Sequence, residues 1–165
     1  MVRLCKTEDD LAAVLAHEIS HVQGQHGLKT IKNSRLTSAF TIIGTEAAKT
    51  YGPVPLSKLT EAFQGSITDI TSALMKNGYS RDLEREADKG AVTILARVGY
   101  DPGALIVMLT EMKKQLKPGG QDFAKTHPDP NDRIADIRPL ISGGLAATPV
   151  STERQKRFKA VMTNL

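Results

Sequence analysis

Residues 15–27 read LAHEISHVQGQHG, three histidines and one glutamate in an otherwise apolar, helix-forming stretch. Within it, His17-Glu18-Ile19-Ser20-His21 is an HExxH motif. Side chains four residues apart share a helix face, about 5–6 Å between Cβ atoms. Two imidazoles so placed can converge on one metal ion, each nitrogen about 2.0–2.1 Å from a zinc. Glu18 is rotated off that line but stays beside the metal, where it can take a proton from water without being a ligand. The flanking sequence predicts an amphipathic helix from about 8 to 26. Thr7 and Asp10 stand in capping-box position, Leu11, Val14, Leu15, Ile19 and Val22 recur at helical spacing, and Gly24 and Gly27 mark the end. The plain alternative is a surface helix that happens to carry two histidines.

The third ligand decides the class of site. In the HExxHxxGxxH arrangement a third histidine follows on the same stretch. Gly24 is in the right place for that pattern, but the expected histidine position is Gly27, and His26 misses by one residue. His26 therefore reads as a helix-end or surface histidine. The missing ligand is then a carboxylate from another helix, and Ser80-Arg81-Asp82-Leu83-Glu84-Arg85-Glu86-Ala87-Asp88 offers one. Glu84 and Asp88 share a face, and like charges at that spacing call for something cationic opposite. A zinc ion with its histidines serves: Glu84 ligates it, and Asp88 accepts a hydrogen bond from the far nitrogen of a ligand histidine. Ala87 is small enough to let the two helices approach. The competing reading is a solvated charged face, with Arg81, Arg85 and Lys89 pairing with the carboxylates at i,i+3.

The rest of the chain reads as helices. Residues 28–50 look helical with weak periodicity, and Tyr51-Gly52-Pro53-Val54-Pro55 is a break. A further helix is expected over 57–77, with Leu59, Phe63, Ile67, Ile70 and Leu74 inward. Ser80 caps one running to about 98, with Leu83, Ala87, Ala91, Ile94, Leu95 and Val98 on one side. Asp101-Pro102 opens another to about 117. After a loop over 121–129, Asp129-Pro130 opens a helix to 141, and a last one spans about 152–163. Almost no stretch alternates as a strand.

The chain has 165 residues, 40% apolar and 24% charged, with no Trp and a net charge of +4. That suits one soluble domain with a core of Leu, Ile, Val, Ala and Met. The single cysteine, Cys5, excludes an intrachain disulfide framework and a cysteine-based zinc site; a buried thiol is expected. Arg154, Lys156, Arg157 and Lys159 lack interleaved aromatics and read as a solvated helix face, not a nucleic-acid site. No apolar run approaches 18 residues, so no transmembrane segment is expected.

HEISH with the downstream SRDLEREAD resembles the gluzincin peptidases of the HtpX and CAAX-prenyl-protease type, whose pattern is HExxH followed by ExxxD inside a longer ExEAD. The likeness runs from about Arg3 through Thr126-His127-Pro128 and Asp132-Arg133-Ile134, most of the chain. It implies a mainly α, zincin-like core and a zinc endopeptidase. One Zn²⁺ per chain would be held by His17, His21 and Glu84, with Glu18 as catalytic base and Asp88 supporting the site. It maps a His-Pro-x4-Arg element onto His127, Pro128 and Arg133, where the histidine stabilises an oxyanion or reaches the zinc. It implies unfolded or misassembled protein substrates, no nucleic acid, and protein quality control in the bacterial periplasm or cell envelope, leaving peripheral membrane association open. Relatives of this type carry N-terminal strands, including an edge strand that holds substrate as an added strand. The expectation here is a core lacking or nearly lacking them, in a chain that reads as a natural short form or a piece of a longer protein. Residues 1–165 are expected to be one domain, with 28–78 a helical insertion between the two metal-binding helices. The alternative from another class is a latent site, His127 closing the zinc, in a chaperone or interaction module.

Overall fold

Thr7 starts the helix that carries the motif. Its hydroxyl accepts from the Asp10 backbone N–H at 3.1 Å, and the Asp10 carboxylate accepts from the Thr7 N–H at 2.9 Å, completing the expected capping box. In the computed structural model, which describes residues 2–50, 78–115, 127, 129–143 and 151–163 with Ser57 and Ser72 alone between them, six helices follow in order: α1 (Glu8–Gln23), α2 (His26–Thr50), α3 (Arg81–Val98), α4 (Ala104–Gln115), α5 (Pro130–Ser142) and α6 (Thr152–Met162). No strand occurs among the described residues. The mainly helical expectation holds. The helix expected over 57–77 and most of the 121–129 loop lie outside the described residues.

Two further helix starts agree with their signals. Ser80 accepts from Leu83 N–H at 3.4 Å, and Gly99, at φ +78°, ends α3. Asp129 accepts from Asn131 N–H at 2.8 Å ahead of Pro130. Helix α4 begins two residues after the expected position. Pro102 and Gly103 form a tighter turn first, with Ala104 N–H bonding Asp101 O and Leu105 N–H bonding Pro102 O.

The core gathers Val92 and Leu95 of α3, Leu105, Met108 and Leu109 of α4, Ile137 of α5 and Phe158 of α6. Each large apolar side chain so buried contributes about 1.5–3 kcal/mol. Cys5 is buried among them, as expected, and that burial pushes its thiol up from the ordinary range.

The apolar face read for α1 needs correction. Leu11 and Val14 do pack on the core, but Leu15, Ile19 and Val22 are 52%, 53% and 79% exposed. The buried face is Ala13, Ala16, His17, Ser20 and His21. The physical reason is close approach. Helix α1 lies against α3, which presents Ala87, Gly90 and Ala91, and a Cβ added at Gly90 would stand 2.6 Å from Ser20 Oγ. Bulky side chains cannot enter such a contact, so the large apolar residues of α1 turn the other way. The helix also stops earlier than expected: Gly24 caps it, while Gly27 lies inside α2. On α3, Val98 is exposed, contrary to its inward reading.

The basic C-terminal cluster divides. Lys156 and Lys159 are exposed, as a solvated face requires. Arg154 instead stacks on Tyr100, 4.1 Å from the ring centroid, and donates to Gly99 O, while Arg157 donates to Glu8. These two arginines tie α6 to the start of α1 and the end of α3.

Candidate metal centre

The small-residue contact between α1 and α3 brings the two acidic positions of α3 up to the two histidines of α1. His17 Nε2 and His21 Nε2 are 3.0 Å apart. Glu84, fully buried, puts Oε2 3.5 Å from His17 Nε2 and Oε1 3.1 Å from His21 Nε2. His127 joins from outside the two helices, its Nδ1 2.8 Å from Glu84 Oε2. Ligand atoms of these four residues all lie within 4.8 Å of one another.

A divalent metal fits this donor set. Two nitrogens on one tetrahedral zinc stand about 3.4 Å apart, close to the edges observed here. The histidine nitrogens point at one another and at a carboxylate, an arrangement in which lone pairs face a common point. Burial alone would push the Glu84 carboxyl up, but the imidazoles of His127, His17 and His21 around it outweigh that and hold it well below the usual carboxylate range. Glu84 Oε1 makes no well-directed hydrogen bond despite its burial, and a buried acceptor left in that state ordinarily costs free energy.

Behind His17 stands a buried ion pair. Asp88 Oδ1 is 3.0 Å from His17 Nδ1. Arg133 of α5 grips the same carboxylate, Nη2 to Oδ1 at 2.6 Å and Nε to Oδ2 at 2.8 Å, and reaches Glu84 Oε2 with Nη1 at 3.2 Å. Burial opposes the charge on Asp88, yet Arg133 and His17 hold its carboxyl below the ordinary carboxylate range. Burial likewise opposes the charged form of His17, and Asp88 and Glu84 outweigh it, raising His17. The solvated-face reading of the acidic segment fails on geometry. Arg85 pairs with Asp82 and Asp136, and Arg81 with Asp132, leaving Glu84 and Asp88 to the interior.

Glu18 is exposed beside the cluster, between two hollows. One is lined by Val14, Leu105, Met108, Leu109 and Met112, with His17 and Arg133 at its inner end. The other is lined by Val22, Gln25, Gly27, Leu28 and Tyr79, with His21 at its inner end.

Two residues went unread or misread in the sequence. Tyr79 stacks on the His21 ring with centroids 4.2 Å apart, and its only advance signal was its place just before the Ser80 cap. His26, expected at a helix end or surface, does begin α2 but has 0% exposure. Its Nδ1 is 2.9 Å from His21 Nδ1, on the side of the ring away from Glu84.

The profile of Peptidase family M48 matches residues 1–141. The chain belongs to this metallopeptidase family. That agrees with the likeness carried by HEISH and EREAD. Among curated M48-type relatives, the beta-barrel assembly-enhancing protease of Escherichia coli K12 is 26% identical over 84% of this chain. The protein of the same name from Yersinia pestis is 30% identical over 84%. The mitochondrial metalloendopeptidase OMA1 of Schizosaccharomyces pombe is 28% identical over 81%. The matched parts span 28%, 28% and 37% of those relatives, so the chain corresponds to about a quarter to a third of their length. No solved structure matches significantly. Among the described residues no helix is long and apolar enough to cross a membrane.

Proposed function

We propose that this domain is a zinc-dependent endopeptidase acting on protein substrates, with His17, His21 and Glu84 as ligands of one zinc ion and Glu18 as general base. The observation that carries the reading is the convergence of the two HExxH nitrogens and the Glu84 carboxylate, at 3.0, 3.1 and 3.5 Å, beside an exposed carboxylate on the same helix. When bound, zinc supplies a Lewis acid that lowers the pKa of water to about 7 and polarises the scissile carbonyl. Glu18, free to reach the cleft, takes the proton of the attacking water and passes it to the leaving amine. Asp88 holds the His17 ring so that Nε2 faces inward. Arg133 keeps Asp88 ionised and adds positive charge, and His127 steadies the oxyanion that develops at the carbonyl. The substrate chain runs across Glu18 between the two hollows. Residues 1–165 are read as one domain, and much of the helical insertion expected over 28–78 lies outside the described residues.

The setting is proposed as quality control of unfolded or misassembled proteins in the bacterial periplasm or cell envelope. Support comes from the relatives named for enhancing β-barrel assembly. One observation favours a second reading: His127 lies in the ligand cluster itself. As fourth ligand it would close the site and leave a latent protein acting as a chaperone or interaction module. X-ray absorption of the zinc-loaded chain separates the two. Three histidines and one carboxylate support closure, whereas two histidines, one carboxylate and a water support the open enzyme.

The decisive experiment pairs casein hydrolysis with metal content. Wild type should hold about one zinc and cut casein, Glu18→Gln should hold zinc without cutting, and Glu84→Ala should lose both. Undiminished hydrolysis in Glu18→Gln would sink the mechanism. Full zinc retention in Glu84→Ala would sink the ligand assignment.

A further inference from the structure

The turn between α1 and α2 is built to bury one imidazole. Gln25 has φ +52°, the one positive-φ non-glycine among the described residues. Beside it, Gly24 has an ordinary φ of −74°, so its backbone does not call for glycine. Space does: a Cβ there would stand 2.3 Å from His26 Nε2. An unfavourable backbone angle and a missing side chain together tuck His26 behind His21, with Nδ1 facing Nδ1 at 2.9 Å. Glu86, two positions after Glu84, stands 3.5 Å from His26 Nε2, in charge contact without a hydrogen bond, and is itself held by Lys29 at 3.0 Å.

We infer that His26 is a positioning residue for the metal centre: it accepts a hydrogen bond from His21 Nδ1–H and so fixes the His21 tautomer whose Nε2 faces Glu84. The inference rests on the ligand reading proposed above. The chain of protons follows from chemistry. The Glu86 carboxylate can only accept, so its charge, close to Nε2 but not hydrogen-bonded to it, favours the proton of His26 on that nitrogen. His26 Nδ1 is then an acceptor. The facing nitrogen of His21 therefore carries a proton, which leaves His21 Nε2 as a lone pair for a metal. His26 is not itself a ligand, because the His21 ring stands between it and the cluster. It does for His21 what Asp88 does for His17, with a neutral ring in place of a carboxylate. The two contacts behind this assignment, His26 Nδ1 to His21 Nδ1 and Glu86 to His26 Nε2, come from opposite sides of the buried ring.

Three variants of the full chain test it, read by zinc affinity in competition with a chromophoric chelator and by Tm of the metal-free protein. His26→Ala removes the acceptor and should weaken zinc about 10–100-fold, the usual effect of losing such a partner. Gly24→Ala, which displaces the ring, should do the same. His26→Asn places Oδ1 where Nδ1 was and should restore affinity to within a few-fold of wild type, although it leaves much of the same void and should match His26→Ala in metal-free Tm. If Asn binds zinc as weakly as Ala, the residue only fills space and the inference falls. It also falls if His26→Ala binds like wild type. A wild type with no zinc affinity overturns the ligand reading beneath it as well, which distinguishes the two failures. Histidine ¹⁵N NMR of the wild type supplies a test independent of any variant's folding. His26 should be the Nε2–H tautomer with an accepting Nδ1, and an Nδ1–H signal on His26 overturns the assignment.

Discussion

The two histidines of the HExxH helix are backed by different structures. His17 rests on Asp88, which Arg133 holds by both oxygens, and all three are buried. His21 rests on His26, a ring five residues along the chain, with a half-exposed carboxylate, Glu86, beyond it. The first support is assembled from three separate helices, α1, α3 and α5. The second comes mainly from a local turn. Buried charge depends on every partner staying in place, whereas a local hydrogen bond needs only the turn. The difference teaches that one metal-binding helix can be fixed at one ligand by tertiary packing and at the next by its own chain.

The charged support should be the costlier one to break. Asp88→Asn leaves Arg133 buried without its main counter-charge, a loss of about 3–5 kcal/mol and a Tm fall on the order of 10 °C for a chain of this size. Zinc affinity should fall about 10–100-fold as His17 loses its anionic partner. Calorimetry with chelator competition reads both effects. The comparison predicts that His26→Ala changes affinity by a similar factor with a smaller Tm change, since it removes no charge. Equal Tm losses in the two variants would break the distinction.

That distinction also explains what could be read from the sequence. Glu84 and Asp88 were legible because, next to an HExxH pair that lacks a further ligand, two carboxylates on one helix face call for a cation opposite them. The helix caps at Thr7, Ser80 and Asp129 were legible because a hydroxyl or carboxylate at those positions has one common use. His26 was misread because its placement depends on a positive φ at Gln25 and on empty space at Gly24, and neither shows in a spacing rule. The face of α1 was misread for a related reason. Hydrophobic periodicity finds large apolar side chains, but this interface is made of Ala13, Ala16 and Ser20 against Ala87, Gly90 and Ala91. Residue size, not polarity, decides which side of α1 meets α3.

Gly90→Ala sharpens the point. The new methyl would meet Ser20 Oγ at 2.6 Å and Ser20 Cβ at 2.9 Å, so the helices must part, at about 1–3 kcal/mol. Parting them moves Glu84 and Asp88 away from the histidines, so zinc affinity should fall together with Tm. The His21–His26 contact lies within one stretch of chain and should survive, while Glu86 moves away with α3. A variant with wild-type Tm and affinity would show that the α1–α3 contact is looser than its geometry implies.

The smallest effect should come from a tie that touches neither support. Glu8, in the first turn of α1, accepts from Arg157 Nε at 2.8 Å and from Tyr100 OH at 2.7 Å. Arg157, opposed by some burial and joined by Tyr100, holds the Glu8 carboxyl below its usual range. A carboxyl lowered in the folded state stabilises the fold above its unfolded pKa of about 4.3, and that contribution is lost as pH falls through the folded value. Glu8→Gln should therefore lower Tm slightly at pH 7, and the gap to wild type should close as the pH drops below about 4. Both partners are near the surface, where salt also weakens such pairs, so the gap should narrow at high salt too. Zinc affinity at pH 7 should not change, because α6 is anchored far from both supports along α1. A fall in affinity would mean that the start of α1 sets the position of His17 and His21, and the two supports would then no longer be the sole determinants of how those rings are held.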